Sequence, residues 1–409
     1  MSIRLMHASD LHYCQKHLEW VDKAFAFACE DAVAKKSEVA IISGDSFDAA
    51  VQLHEPAVDA YFRRIRDLAD KMPVCVLQGT FSHDRPGSLT PLRSIGGKYP
   101  VLVADRIGQA AWDGNNWIES EGWTFNEIPV NARVVLSLLP SINKAVIAAS
   151  VGAENAGEQI GEQIYALCRG WSVANLKARG RNVPTVLVTH GTVNGAMTEC
   201  AHALVSPDHE FTAGTLFAAE ASAVCIGHIH AHQDFEKDGR RIAYPGSITH
   251  LIYGHMADTG YLSWNVEADR AAFDFIKTPS KTMIVVEFPG TPDMDELARI
   301  AAESDGAFVK IKFSVDEEHR HAVDKAAIAK LFEEAAELSI EGRVNPIQRS
   351  RSEGMNRATS LTEKLEKWCD VTQSDKPPLV SRLADLEAYD TDEIVAEVFK
   401  DEKEKEKAA

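Results

Sequence analysis

In five places an apolar, β-rich run of this chain stops on aspartate or histidine: Ile3 to His12, Val39 to Asp45, Val74 to Asp84, Thr185 to His190 and Ala223 to His230. Carboxylates and imidazoles hold divalent cations, and Asp10, His12, Asp45, His190, His228 and His230 supply both kinds. A carboxylate can bridge two ions through its two oxygens, whereas an imidazole nitrogen serves one. A central aspartate flanked by several histidines therefore suits a metal pair about 3.5–4 Å apart. Gly44 lets the backbone turn tightly before Asp45 and leaves its carboxylate at a sheet rim. Asp10 and His12 stand two apart in a turn, so both can aim at one ion, and His228 and His230 alternate, which puts both on the same side of an extended segment. Taken singly these fragments are commonplace. Their joint occurrence, each behind its own strand, is the signal.

The elements that must position them follow from periodicity. Ligands in open α/β sheets gather outside the carboxyl ends of the strands, and strands alternate with helical patterns from the start of this chain. Helical spacing runs from His17 to Lys36, with Trp20, Ala24, Phe27, Ala28 and Val33 on one face, and again from Glu55 to Lys71, with Val58, Phe62, Ile65 and Leu68. Further strands are expected at Val134 to Leu139, Ile242 to Ser247 and Tyr261 to Val266, and a helix at Gly157 to Arg169. After Thr278 a smaller unit is expected, with strands at Met283 to Phe288 and Ala307 to Val315 and helices at Asp293 to Ser304 and Asp324 to Leu338. A polar stretch follows. Then Leu361, Leu365 and Trp368 and, beyond the breaker Pro377-Pro378, Leu379, Leu383 and Leu386 mark two short amphipathic helices suited to docking on a partner. The expected organisation is 1–276, 279–339, a linker over 340–359 and a helical region over 360–400.

Composition narrows the class. The chain has 409 residues, 45% of them hydrophobic, which is enough for more than one core. Its formal net charge of −18 argues against a freestanding nucleic-acid binder steered by a positive field. Seven dispersed cysteines without a paired spacing predict a reduced, cytoplasmic setting, and Cys14, Cys75 and Cys225 read as core residues. No apolar run approaches the roughly 18 residues of a membrane span, and no P-loop signature is present. Basic residues cluster at Arg63, Arg64 and Arg66, at Lys177, Arg179 and Arg181, and at Arg343, Arg349 and Arg351; the Lys177, Arg179 and Arg181 group is the candidate for DNA-phosphate contact. The acidic and lysine-rich run 401–407 reads as a solvated end.

Asp10 and His12, Gly44 and Asp45, the segment Gly79 to Asp84, His190, and Gly227 to His230, in that order, resemble the calcineurin-like metallophosphoesterase superfamily. Within it, the length, the Tyr244-Pro245-Gly246-Ser247 strand end, the small following unit and the terminal helices are similar to the SbcD-type DNA-repair nuclease family. The resemblance implies an α/β (α+β sandwich) fold: two mixed sheets flanked by helices, with a small α+β capping domain and C-terminal helices. It implies two divalent metal ions, manganese above all. One would be held by Asp10, His12, Asp45 and His230, the other by Asp45, His190 and His228. His83 would act at the leaving oxygen, oriented by Asp84. The family shows Gly-Asn-His-Asp where this chain has Gly79-Thr80-Phe81-Ser82-His83-Asp84; aligned from its right end, Ser82 takes the place of the ligating Asn. The implied activity is phosphodiester hydrolysis at DNA ends, by a homodimer working with an SMC-like, SbcC-type ATPase that receives the C-terminal helices. The alternatives are a phosphomonoesterase or small-nucleotide phosphodiesterase on the same site, and a non-catalytic scaffold with a weakened metal site.

Overall fold

The computed structural model describes residues 1–95, 97–141, 153–198, 200, 210–255, 257–346, 358 and 360–395. Positions 347–357, 359 and 396–409, which include Arg349, Arg351, most of the expected linker and the acidic end, lie outside them.

The chain builds the expected core of two mixed sheets flanked by helices. Parallel strands buried on both faces read as unbroken apolar runs; β2 (Val39–Ile42), β3 (Val74–Leu77) and β4 (Val101–Ala104) are of that kind, whereas β1 (Ser2–Ala8) begins with exposed Ser2 and Arg4 and is buried from Leu5 on. They lie side by side, all parallel. The antiparallel strands β14 (Gly260–Glu267) and β15 (Ala271–Lys277) extend this sheet beyond β1, in the order β15-β14-β1-β2-β3-β4.

The second sheet has at its centre β7 (Val134–Leu139), β8 (Thr185–His190), β11 (Ala223–Gly227) and β13 (Arg240–Tyr244), again mutually parallel. Antiparallel β5 (Gly108–Trp112), β6 (Trp117–Glu119) and β12 (Gln233–Lys237) close its two edges. A short pair, β9 (Thr192–Val193) and β10 (Glu210–Phe211), lies outside both sheets.

Leu5, Ile41 and Leu77 of the first sheet and Leu136, Val188 and Cys225 of the second share one buried core, so the sheets pack face to face. The outer face of the first sheet is covered by α1 (Leu18–Ala34) and α2 (Pro56–Ala69), that of the second by α3 (Ala153–Gly180) and α4 (Ala213–Phe217). Because successive parallel strands are joined by these helices, every connection returns the chain to the same end of the sheet. The carboxyl ends of β1, β2, β3, β8 and β11 thereby share a rim.

Local signals explain the helix limits. Pro56 opens α2 at a position where its missing N–H costs nothing. Helix α1 stops where Lys36 turns left-handed, at φ 61°, with its N–H on the Val33 carbonyl. The buried face of α1 is Val21, Ala24, Phe25, Ala28, Cys29 and Ala32: Ala24 and Ala28 are buried as expected, but Phe27 and Val33 are exposed. Apolar residues around the whole helix offer two overlapping stripes, and packing on the sheet chose between them.

Residues 283–345 form a three-stranded sheet in the order β16 (Met283–Phe288), β17 (Phe308–Asp316), β18 (Glu337–Asn345). The helices α5 (Met294–Ala301) and α6 (Lys325–Leu331) lie between these strands in sequence, capped by the carboxylates of Asp293 and Asp324. Two expectations fail here. The helix read as far as Leu338 ends at Leu331, and the expected linker start at 340 is still strand. Tertiary pairing overrides the helical propensity of the Glu- and Ala-rich stretch.

The chain divides into two compact units, the first comprising 1–288, 292–312 and 324–341, the second 289–291, 313–323 and 342 onward. The first unit thus runs past residue 276 into the segment expected as a separate domain. In the second unit, α7 (Leu361–Thr372) packs on α8 (Lys376–Ala388). Pro377 and Pro378 do not separate these helices; they form the first turn of α8.

Trp264, 1% exposed, fills the inter-sheet core against Phe273 at 4.8 Å between ring centroids. Replacing it with alanine should cost about 3–5 kcal/mol, read as a lower urea midpoint at unchanged slope.

Candidate metal centre

Backbone hydrogen bonds first bind the loops after β1 and β2 to one another. Asp10 N–H donates to the Gly44 carbonyl and His12 N–H to the Asp45 carbonyl, each at 3.1 Å, and Tyr13 N–H follows at 2.9 Å to Ser46. Asp10, His12 and Asp45 have φ of 51°, 52° and 51°, and His228 has 101°. Left-handed backbone costs a non-glycine residue roughly 1–2 kcal/mol, so four ligand-type residues are held in strained positions by the surrounding bonds, as functional sites commonly are. Glycine is required at 79: a Cβ there would overlap the Asp45 backbone nitrogen and carboxylate.

Two sets of side chains converge. In the first, Asp10, His12 and His230, the His12 and His230 Nε2 atoms stand 3.2 Å apart and His230 Nε2 is 3.9 Å from Asp10 Oδ1. Two imidazole nitrogens about 2.1 Å from one ion lie roughly 3.0–3.4 Å apart when the angle at the ion is between octahedral and tetrahedral. The spacing fits a shared cation. Both Asp10 oxygens accept the backbone N–H of His228, at 3.1 and 3.0 Å, which ties the rim of the first sheet to that of the second.

The second set is Asp45, His190 and His228. His190 Nε2 is 3.2 Å from Asp45 Oδ2, and its Nδ1 lies 2.8 Å from the Ser43 carbonyl, which fixes the ring with Nε2 toward the site. The His190 and His228 rings meet edge to face at 5.2 Å. Burial disfavours charge on both members of the Asp45–His190 pair, but their mutual attraction prevails. It holds Asp45 well below the usual carboxylate range and lifts His190 to about 9.

The segment after β3 is placed differently from the alignment made at its right end. Thr80, not Ser82, reaches the cluster: its N–H donates to Asp45 Oδ1 at 2.6 Å and its hydroxyl lies 3.3 Å from both Asp45 Oδ2 and His190 Nε2. Ser82 is exposed. The two additional residues are absorbed in a tight turn, with the N–H groups of His83 and Asp84 both on the Thr80 carbonyl, at 2.9 and 2.8 Å. The residue directly after Gly79 therefore stays at the rim. Alignment from the left, from the glycine that the strand end demands, finds it.

His83 is oriented by a group that sequence reasoning missed. Its Nδ1 is 2.6 Å from the Asp48 carbonyl, leaving Nε2 4.0 Å from Asp45 Oδ2 and the ring 4.8 Å from that of His12. The Asp48 carboxylate also approaches His12 Nδ1, at 3.5 Å. Asp84 does not touch His83. It is fully buried and accepts N–H groups of Ser46 (3.1 Å) and Gly79 (3.0 Å), fastening the β2 and β3 loops together. Burial, and after it the Asp45 charge, raises its pKa to about 7.

Lys177 and Arg181 are exposed and Arg179 half-buried, and all three are engaged by the protein's own groups. Lys177 donates to the Asn126 carbonyl, Arg179 pairs with Glu220 at 3.2 Å, and Arg181 binds the carbonyls of Ile128, Pro129 and Val130. They anchor loops beside the last turn of α3 and are not placed as a phosphate-contacting face.

No protein-family model matches the chain, and no curated protein matches it. Among solved structures it is similar to the Plasmodium protein described as "GAP50 the anchor in the inner membrane complex", with 12% identity and a TM-score of 0.39 over 68% of this chain and 88% of that one. It is also similar to a dimetal phosphatase from Danio rerio, with 10% identity and a TM-score of 0.40 over 66% of this chain and 98% of that one.

Thr80→Ala should weaken manganese binding about 10-fold, the lower end for a residue that positions ligands, while Ser82→Ala should leave it unchanged. Calorimetric titration of both variants separates the two positions; equal affinities would remove Thr80 from the site.

Proposed function

We propose that this chain is a phosphoesterase of the calcineurin-like metallophosphoesterase superfamily that hydrolyses phosphodiesters with a pair of divalent metal ions. The observation that carries this reading is the meeting of Asp10, His12 and His230 with Asp45, His190 and His228 at one rim. Two three-residue sets of mixed oxygen and nitrogen donors suit first-row ions such as manganese better than magnesium, which prefers oxygen. When bound, such a pair supplies Lewis-acid activation and neutralises phosphate charge.

The protein's own groups do the rest. Asp10 and Asp45 provide the permanent negative charge, and Asp84 and Thr80 hold the loops at the spacing the ligands need. His83, positioned by the Asp48 carbonyl, has Nε2 4.0 Å from Asp45 Oδ2, beside the cluster, and in its protonated form can donate a proton to the departing oxygen.

For the substrate, the reading is a DNA end, cleaved by an SbcD-like nuclease subunit that works in the cytoplasm as a homodimer. Its support is the resemblance in motif order and length, together with the C-terminal helices. On α7 and α8, Leu361, Trp368, Val371, Leu379 and Leu386 are exposed, an apolar surface suited to an SMC-like ATPase partner. Among the described residues no helix is long and apolar enough to cross a membrane. A small phosphate ester is the second reading, favoured by the bonds that Lys177, Arg179 and Arg181 already make to the protein's own carbonyls and Glu220 and by the net charge of −18.

Asp45→Asn should abolish hydrolysis of bis(nitrophenyl) phosphate in manganese, as should chelation. A purified chain inactive at every metal concentration would instead support the scaffold. Comparing duplex ends with nitrophenyl phosphate distinguishes nuclease from phosphomonoesterase. His83→Gln should keep metal affinity and lose about 10²–10⁴ in kcat; full activity would exclude His83 from proton transfer.

A further inference from the structure

A cavity of about 300 Å³, in the size range of ligand sites, is lined by Lys16, His17, Tyr253, Lys281, Phe308 and Lys310. None of these belongs to the metal-ligand sets. Two of the three lysines have anionic partners: Lys16 lies 3.3 Å from Glu337, and Lys310 lies 2.6 Å from Glu341. Glu337 also accepts the Tyr253 hydroxyl at 3.0 Å, so its charge is already shared.

Lys281 has no ion pair of its own among the described residues, although the Glu337 charge reaches it. It is 0% exposed, and among the described residues its ammonium has no hydrogen-bond acceptor. The face of Phe308 lies 4.7 Å from Nζ, a cation–π contact that offsets part of the desolvation but accepts none of the three protons. The backbone at this residue is fixed, with its carbonyl 2.9 Å from His250 Nδ1. His17, whose ring packs edge-on against Phe308, presents a second buried nitrogen, Nδ1, without a partner. Burial lowers the Lys281 pKa to about 8, which still leaves the amine mostly protonated at neutral pH. A buried cation without an acceptor is unfavourable, and an anion completes it.

We propose that this cavity is an anion subsite that receives a phosphoryl group. The Lys281 ammonium is its central contact and His17 a second donor, while Lys16 and Lys310, each already paired with a glutamate, flank it and the Phe308 and Tyr253 rings form a wall for the organic part of a phosphate ester. A tetrahedral oxyanion matches several donors converging from different directions better than a planar carboxylate does. The site shares no residue with the metal-ligand sets, so it is tested separately from the hydrolytic reading.

The test is calorimetric titration of the full chain with inorganic phosphate, in the presence of chelator so that no metal contributes. Wild type should bind phosphate, Asp45→Asn should bind it equally well, and Lys281→Met should weaken binding at least about tenfold. No uptake by wild type, unchanged affinity in a folded Lys281→Met variant, or loss of binding in Asp45→Asn would each overturn the subsite. If Lys281→Met does not fold, amine acylation of wild type followed by mass spectrometry decides: phosphate should protect Lys281, and equal labelling with and without phosphate would refute the proposal. A 5′-phosphorylated dinucleotide that binds more tightly than phosphate assigns the subsite to esters; equal affinity assigns it to free phosphate.

Discussion

Both oxygens of the Asp10 carboxylate accept the backbone N–H of His228, and the arrangement of the centre depends on that contact. Asp10 belongs to the loop after β1 of the first sheet, His228 to the loop after β11 of the second. Each set of ligand-type side chains draws on both sheets, so each needs the two rims held together, as this join does. The contact is strong because one partner is ionised and buried, where water does not compete. It also accounts for the left-handed backbone at Asp10 and His228, since only those conformations present the carboxylate and the N–H to each other across the gap.

The rest of the centre extends the same principle of loops fastened by buried carboxylates. Asp84 joins the β2 and β3 loops through the N–H groups of Ser46 and Gly79. Asp45 receives Thr80 N–H while facing His190. Acidic side chains are thus used twice, as candidate ligands and as fasteners. The rim that results holds negative charge ready for cations, whereas the cavity around Lys281 holds positive charge ready for an anion. A phosphate ester is a ligand for which both signs of preorganised charge are useful.

Much of this centre was legible before any coordinates. The residues that end the five strands are the ones that meet, because parallel strands joined by helices return to a common edge and their C-terminal loops cannot disperse. The unbroken apolar runs of β2, β3 and β8 identified buried strands for the same reason. What periodicity misjudged was finer. It put Phe27 and Val33 on the buried face of α1, extended a helix across β18 and separated α7 from α8 at a proline pair that starts a helix. In each case a local preference was compatible with two outcomes and packing chose one.

The primary structure by itself determined which chemistry was available: donor types, their order, and the strand ends that carry them. The three-dimensional arrangement alone decided that Thr80 rather than Ser82 reaches Asp45, that Asp48 rather than Asp84 holds His83, and that Lys177, Arg179 and Arg181 serve the protein's own carbonyls. It also decided that Lys281 lies buried without an acceptor among the described residues. The reason is physical. Strand ends follow from patterns within one segment, whereas hydrogen-bond partners and desolvation depend on which distant segments come to share the same space.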